Sequence, residues 1–227
     1  AQNIHFVTPA AAKAATGRCL IFVTPDAQRS MNTFLGAAVD FGPEDVDEKI
    51  VQSSAITYLE GYLFDKPLAQ QAFNKAAALA HEAGHKVAMT LSDVFCAARH
   101  RDAFLNLICR DIDILFANEG EAKELYQTED LNSALSAART HARIVVVTRG
   151  EKGAVIASGE AVHEIKAHPV TEVIDTTGAG DLFAAGFLCG LSKGRELPEC
   201  GRIGTITASE VIGHYGPRPQ KKLEDLI

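Results

Sequence analysis

Ile144-Val145-Val146-Val147-Thr148 decides how this chain folds. Every residue in the run is β-branched, and none carries a charge or makes a turn. Such a run cannot show one wet and one dry face. It reads as a strand covered on both sides, the mark of a parallel sheet with helices above and below. Upstream, the sequence repeats a strand–helix rhythm. Pro43 to Ser53 reads as a helix, Ala55 to Leu59 as a strand, and Pro67 to Ala83 as an Ala-rich helix. That last helix has Pro at its start and Gly84 just past its end, the expected polarity. Lys86 to Leu91 is then a strand, Phe104 to Cys109 a helix and Ile112 to Ala117 a strand. Gly120 to Tyr126 and Leu131 to Thr140 are helices that lead into the opening run. Downstream, Ala154 to Ala157 and Ala161 to Ile165 form a hairpin, and Asp181 to Lys193 and Pro198 to Ile212 are helices. The rhythm predicts an α/β fold, a doubly wound, mostly parallel sheet flanked by helices. Ahead of it, Gly17 to Thr24 and Gln28 to Leu35 flank a Pro25-Asp26 turn and read as an early β-hairpin, part of a small lid sheet.

Composition narrows the partners. With 227 residues and 47% hydrophobic content the chain can bury a full core. A net charge of −7 gives no footprint for nucleic acid or for an anionic membrane. The five cysteines, Cys19, Cys96, Cys109, Cys189 and Cys200, are odd in number and include no C-x-x-C pair. They read as free thiols in a reducing compartment. No apolar run has the length of a membrane span and no signal peptide opens the chain, so a cytoplasmic protein is the expectation.

Ligands in sheets of this kind bind at the carboxyl ends of the strands, and the distinctive motifs fall there. Asp175-Thr176-Thr177-Gly178-Ala179-Gly180-Asp181 joins a strand-like Val173-Ile174 to a helix. Its glycines let a ligand approach the main chain, and the free N–H groups of the helix start attract negative charge. A carboxylate in such a place repels phosphate, so Asp181 makes sense there as a base that takes a proton from an attacking hydroxyl. Asn118-Glu119-Gly120-Glu121 follows a strand and fits a capping box, Asn118 capping the helix and Glu121 reaching back. Thr148-Arg149-Gly150-Glu151-Lys152-Gly153 reads as a tight turn. His81-Glu82-Ala83-Gly84-His85 spells the zinc-protease pattern, but Gly84 stops the helix that would bring both histidines to one face. The early G-x-G-x-x-G of a dinucleotide oxidoreductase is missing.

The run Asp175 to Phe183 resembles the C-terminal signature of the ribokinase-like, or PfkB, family of carbohydrate and nucleoside kinases, Asp-Thr-x-Gly-Ala-Gly-Asp-x-Phe. The resemblance implies an ATP-dependent kinase acting on a hydroxyl of a small sugar or nucleoside. It makes Asp181 the catalytic base and Gly178, Ala179 and Gly180 the anion hole. It implies that Asn118 and Glu121 organise Mg²⁺, and that Thr148, Gly150, Gly153 and Thr177 line the nucleotide site. Arg29-Ser30 followed by Leu35-Gly36-Ala37-Ala38 is similar to a segment of adenosine-kinase-like members, which makes Arg29 a stabiliser of the transferring charge. The resemblance leaves open a monovalent cation such as K⁺ beside Asp175 and a homodimer through the hairpin. Residues 1–42 then read as a lid-like segment and entry to the core, and 43–227 as the nucleotide-binding core. The βαβ unit and Gly-Gly segment with which the family opens have no counterpart here, and the expectation is that this chain alone binds acceptor poorly. The alternative to a working kinase is a non-catalytic or truncated nucleotide-binding fragment of one.

Overall fold

Thr16–Val23 (β1) and Arg29–Gly36 (β2) pair antiparallel, from Thr16 opposite Gly36 to Val23 opposite Arg29, and form a sheet of their own. The structure, a computed structural model, describes residues 4–6 and 8–227. After β2 the chain passes through two 3₁₀ turns, Ala37–Asp40 and Pro43–Asp45, into helix α1 (Glu48–Ser53). The sequence suggested one helix from Pro43 to Ser53. The structure breaks it because Val46 is extended and the Asp47 side chain accepts the Ile50 N–H at 3.0 Å, which starts a new helix.

The main sheet has six strands: Ile56–Glu60 (β3), Lys86–Thr90 (β4), Ile114–Asn118 (β5), Ile144–Thr148 (β6), Ala154–Ser158 (β7) and Ala161–Ile165 (β8). They lie in chain order. β3 to β6 are parallel, and β7 and β8 are added antiparallel as the expected hairpin. Between the parallel strands run Pro67–Glu82 (α2), Val94–Arg99 (α3), Arg101–Asp111 (α4), Glu119–Tyr126 (α5) and Leu131–Ala138 (α6). Each crossover steps one strand in the same direction, and right-handed crossovers that do so place their helices on one face. Side chains alternate accordingly. Val87, Met89, Leu115, Val145, Val147 and Val155 pack with these helices. Ala88, Ile114, Phe116, Val146 and Ile156 face the other way, against Ala179–Ser192 (α7) and Leu197–Val211 (α8). The sheet is thereby covered on both faces, as the apolar run in β6 requires.

Two expectations need correction. Val173-Ile174 is not a strand: the N–H groups of Ile174 and Asp175 both point to the carbonyl of Ile212, at 2.8 and 3.4 Å, so the segment hangs on the end of α8. Helix α3, six residues capped by Asp93, was not expected at all.

Candidate active site

The parallel strands end in a row of polar residues on the face that carries α7. Glu60 of β3 lies opposite Thr90 of β4, and Asn118 of β5 opposite Thr148 of β6. Just beyond, Ser92 has a left-handed backbone, φ 73°. Its hydroxyl donates to Glu60 Oε1, and its Oγ accepts the Tyr62 N–H at 3.1 Å. Asp93 follows as the cap of α3. Glu60, Tyr62, Ser92 and Asp93 escaped the sequence reading. The signal for them was the Ser-Asp pair after a strand, a helix start that only the unseen α3 explains.

α7 begins at this rim. Its N-cap, Gly178, has φ 83°, a conformation that disfavours any side chain, and a Cβ there would lie 2.9 Å from Pro217. Leu182 N–H bonds the Gly178 carbonyl at 2.9 Å, and Ala179 N–H the Thr176 carbonyl at 3.3 Å. Among the described residues the Gly178, Gly180 and Asp181 N–H groups have no hydrogen-bond partner, and Gly180 and Asp181 are the two of these inside the helix. Space for a ligand exists in front of them, since a Cβ on Gly180 would meet nothing within 4 Å. Asp181 stands exposed in the same turn. Burial pushes the Glu60 carboxyl up, the Ser92 hydrogen bond opposes this, and the Asp181 charge adds to the rise. Asp181 therefore lies near enough to Glu60 for the two charges to be felt.

The preceding loop is braced by Asp175, which is 2% exposed. Its Oδ1 accepts the Thr177 N–H at 2.9 Å and the Thr177 hydroxyl at 2.6 Å, and its Oδ2 accepts the Gly216 N–H at 3.0 Å. Burial works to raise this carboxyl, but those bonds and the nearby Arg29 hold it below the ordinary carboxylate value. Thr177 is buried, and its hydroxyl donates to Asp175, so it helps to build the loop. Arg29, at the start of β2, donates from Nη1 to Thr176 Oγ1 at 2.6 Å, which brings the hairpin to the same loop.

Asn118 and Glu121 form the full capping box. Asn118 Oδ1 accepts Glu121 N–H and Asn118 N–H donates to Glu121 Oε2, both at 2.9 Å, while Asn118 Nδ2 donates to Glu121 Oε1 at 2.5 Å. Glu121 is 5% exposed. Burial, with Asp93 and Glu60 close by, pushes its carboxyl up to about 7 against the opposing bonds from Asn118. The group is a buried carboxylate among carboxylates, an excess of negative charge that a divalent cation would relieve. Among the described residues no three His, Cys, Asp or Glu side chains cluster as direct metal ligands.

On the far side, Thr148 ends β6, and Gly150 and Gly153 bracket a 3₁₀ turn, both at positive φ. Gly153 is also pressed against the backbone of Ile165 and Lys166. The His81 pattern resolves as the helix-stop argument expects: α2 ends at Glu82, Gly84 has φ 75°, and His81 Nε2 lies 3.0 Å from Asp113 Oδ2. A concavity of about 340 Å³ lined by Glu119, Lys123, Leu135, Arg149 and Glu164 opens away from α7 and holds none of the candidate site residues.

A parallel sheet whose carboxyl rim carries a helix start with free amides and an exposed carboxylate defines a class: α/β proteins built to receive an anionic group beside a base. Within that class the chain belongs to the pfkB family of carbohydrate kinases, whose pattern it matches over residues 3–223. It is 29% identical to the adenosine kinase of Saccharomyces cerevisiae, an alignment covering 92% of this chain and 64% of the relative. It is 40% identical to the cytidine kinase of Thermococcus kodakarensis over 52% of this chain and 43% of that one. Among solved structures, a probable sugar kinase from Rhizobium etli superposes with a TM-score of 0.96 at 46% identity, covering 99% of this chain and 68% of that one. The adenosine kinase of Sinorhizobium meliloti gives a TM-score of 0.91 at 48% identity, over 92% of this chain and 64% of that one. The chain thus spans from under half to about two thirds of the length of these relatives. No helix among the described residues is long and apolar enough to cross a membrane.

Proposed function

We propose that this chain carries the phosphoryl-transfer machinery of an ATP-dependent kinase whose acceptor is a hydroxyl of a sugar or nucleoside. The observation that carries the reading is Asp181, exposed in the first turn of α7 beside the two free amides of Gly180 and Asp181. In the proposed reaction Asp181 takes the proton of the acceptor hydroxyl as its oxygen bonds to the γ-phosphorus of ATP. The bond from that phosphorus to the β–γ bridging oxygen breaks, and ADP leaves. The free amides and the dipole of α7 hold the charge that builds on the transferring group, in the turn that Gly178 and Ala179 begin. Arg29, already within reach of Thr176, adds positive charge from the hairpin side. Thr148, Gly150 and Gly153 line the nucleotide, and Thr177 acts through Asp175. Asn118 and Glu121 fit the task of holding Mg²⁺ through its waters, and when bound the ion would neutralise phosphate charge. Asp175 holds the loop with both oxygens, and no step of the proposed reaction needs a monovalent cation.

The test is Asp181→Asn. Turnover should fall about 10²- to 10⁴-fold, the usual worth of a general base, while ATP affinity measured by calorimetry stays near that of the parent. Unchanged turnover would remove Asp181 as the base. A second reading is a nucleotide-binding unit without an acceptor pocket of its own; the chain covers about two thirds of the length of these relatives. ATP binding with no acceptor-dependent ADP release from the purified chain would select it.

A further inference from the structure

We propose that Glu210 is a positioning residue for the anion-accepting turn, acting through the segment 213–221. This deepens the reading of that turn as a phosphate site and rests on it for its catalytic consequence. Glu210 sits near the end of α8 with its side chain 3% exposed. Its Oε1 accepts two consecutive backbone N–H groups, those of Gln220 and Lys221, each at 2.9 Å. Its Oε2 faces His214 Nε2 at 3.5 Å. The two bonds to Oε1 anchor the far end of a segment that has no regular structure.

The same segment touches the signature loop at three places. The Ile212 carbonyl at its root accepts Ile174 N–H at 2.8 Å. Gly216 N–H donates to Asp175 Oδ2 at 3.0 Å. Pro217 packs against Gly178 so closely that a Cβ on that glycine would come within 2.9 Å of it. The strap is therefore tied at its root and, through Glu210, at its far end, and between those ties it presses on the residue that begins α7. Loops held by few contacts open locally at little cost. Release of the far tie frees Gly216 and Pro217, and with them the left-handed cap that aims the Gly180 and Asp181 amides.

Hydrogen exchange, read amide by amide on the full 227-residue chain, tests this without any need for turnover. Thr177, Ala179 and Leu182 report on the turn, because their N–H groups bond Asp175 Oδ1, Thr176 O and Gly178 O. In Glu210→Ala these amides should exchange roughly tenfold faster or more while the β4–β6 amides stay as in the parent. Glu210→Gln keeps the Oε1 acceptor and should restore slow exchange. Gly216→Ala disturbs the strap without touching α8, since Gly216 has φ 92° and open space where a Cβ would go. It should speed the same three amides. Affinity for inorganic tripolyphosphate should fall in step. Faster exchange confined to residues 213–221, a rise spread evenly over the sheet, or equal damage from Glu210→Gln each overturns the proposal. If the exchange pattern appears and even the parent chain ignores tripolyphosphate, the positioning role stands and the kinase reading falls.

Discussion

Glu121 shows how one side chain serves two ends. Its capping box with Asn118 was legible from the spacing, because a polar cap followed three residues later by Glu is a local device. Its burial near Asp93 and Glu60 was not, since those carboxylates arrive from the cap of α3 and the end of β3. The consequence is a pH dependence with a definite sign. Folding pushes this carboxyl from the ordinary 4.5 up to about 7, so the folded protein binds the proton more tightly. Stability therefore rises as pH falls from about 7 toward 4.5, at about 1.4 kcal/mol for each unit of separation. Urea midpoints at a series of pH values in that window should climb on acidification, and Glu121→Gln should flatten the climb. Mg²⁺ bound nearby should do the same by favouring the charged form. A midpoint that drops on acidification in both proteins would show that Glu121 is not the destabilised group. Asp181 reads differently: the sequence singled it out as a candidate, and its exposure and the open space before Gly180 are features that spacing alone could not supply.

At the scale of elements, the parallel strands and the long helices were legible because each is dictated by its own pattern: unbroken β-branched runs, or an apolar stripe between Pro and Gly. What stayed hidden was set by contacts far along the chain. α3 is too short to show a period, and Val173-Ile174 has strand-like residues whose N–H groups were claimed by Ile212. The pairing of α7 with α8 was hidden too, although it holds the first turn of α7. α7 lies so close to α8 that a Cβ on Gly186 would collide with Thr207 Oγ1 and sit 3.0 Å from the Ile203 carbonyl. The same Thr207 hydroxyl donates to the Leu182 carbonyl at 2.6 Å, in the first turns of α7. Gly186→Ala must force the helices apart or bend that hydroxyl away. It should cost about 1–3 kcal/mol, the usual range for an overpacked core, seen as a lower urea midpoint. Since the displaced contact is next to the turn, phosphate-analogue affinity should fall as well. An alanine tolerated at full stability would mean that the two helices are less tightly joined than their geometry states.

For the whole molecule the open question is the hairpin, which the sequence identified as a lid and the structure leaves largely uncovered. Leu20, Phe22 and Phe34 share one face of β1–β2, as the pairing of Leu20 with Asn32, Phe22 with Ser30 and Arg18 with Phe34 requires. They are 67%, 62% and 58% exposed. A two-stranded ribbon is marginal by itself in water, and this one is tied to the site loop by Arg29. Apolar side chains grouped on such a ribbon favour association, and an antiparallel pair can meet its own copy about a two-fold axis, which buries both faces at once. The occupant to test is a second copy of this chain. Sedimentation velocity across a concentration series should show a monomer–dimer equilibrium that Phe22→Lys shifts wholly to monomer. The catalytic consequence follows from the position of Arg29. Burying the ribbon's outer face restrains the strand that carries this guanidinium, so dimerisation should tighten nucleotide binding and Phe22→Lys should weaken it. Parent and variant that remain monomeric alike throughout the series would leave the hairpin as a lid that works alone, with Arg29 held by Thr176 and by nothing from a partner.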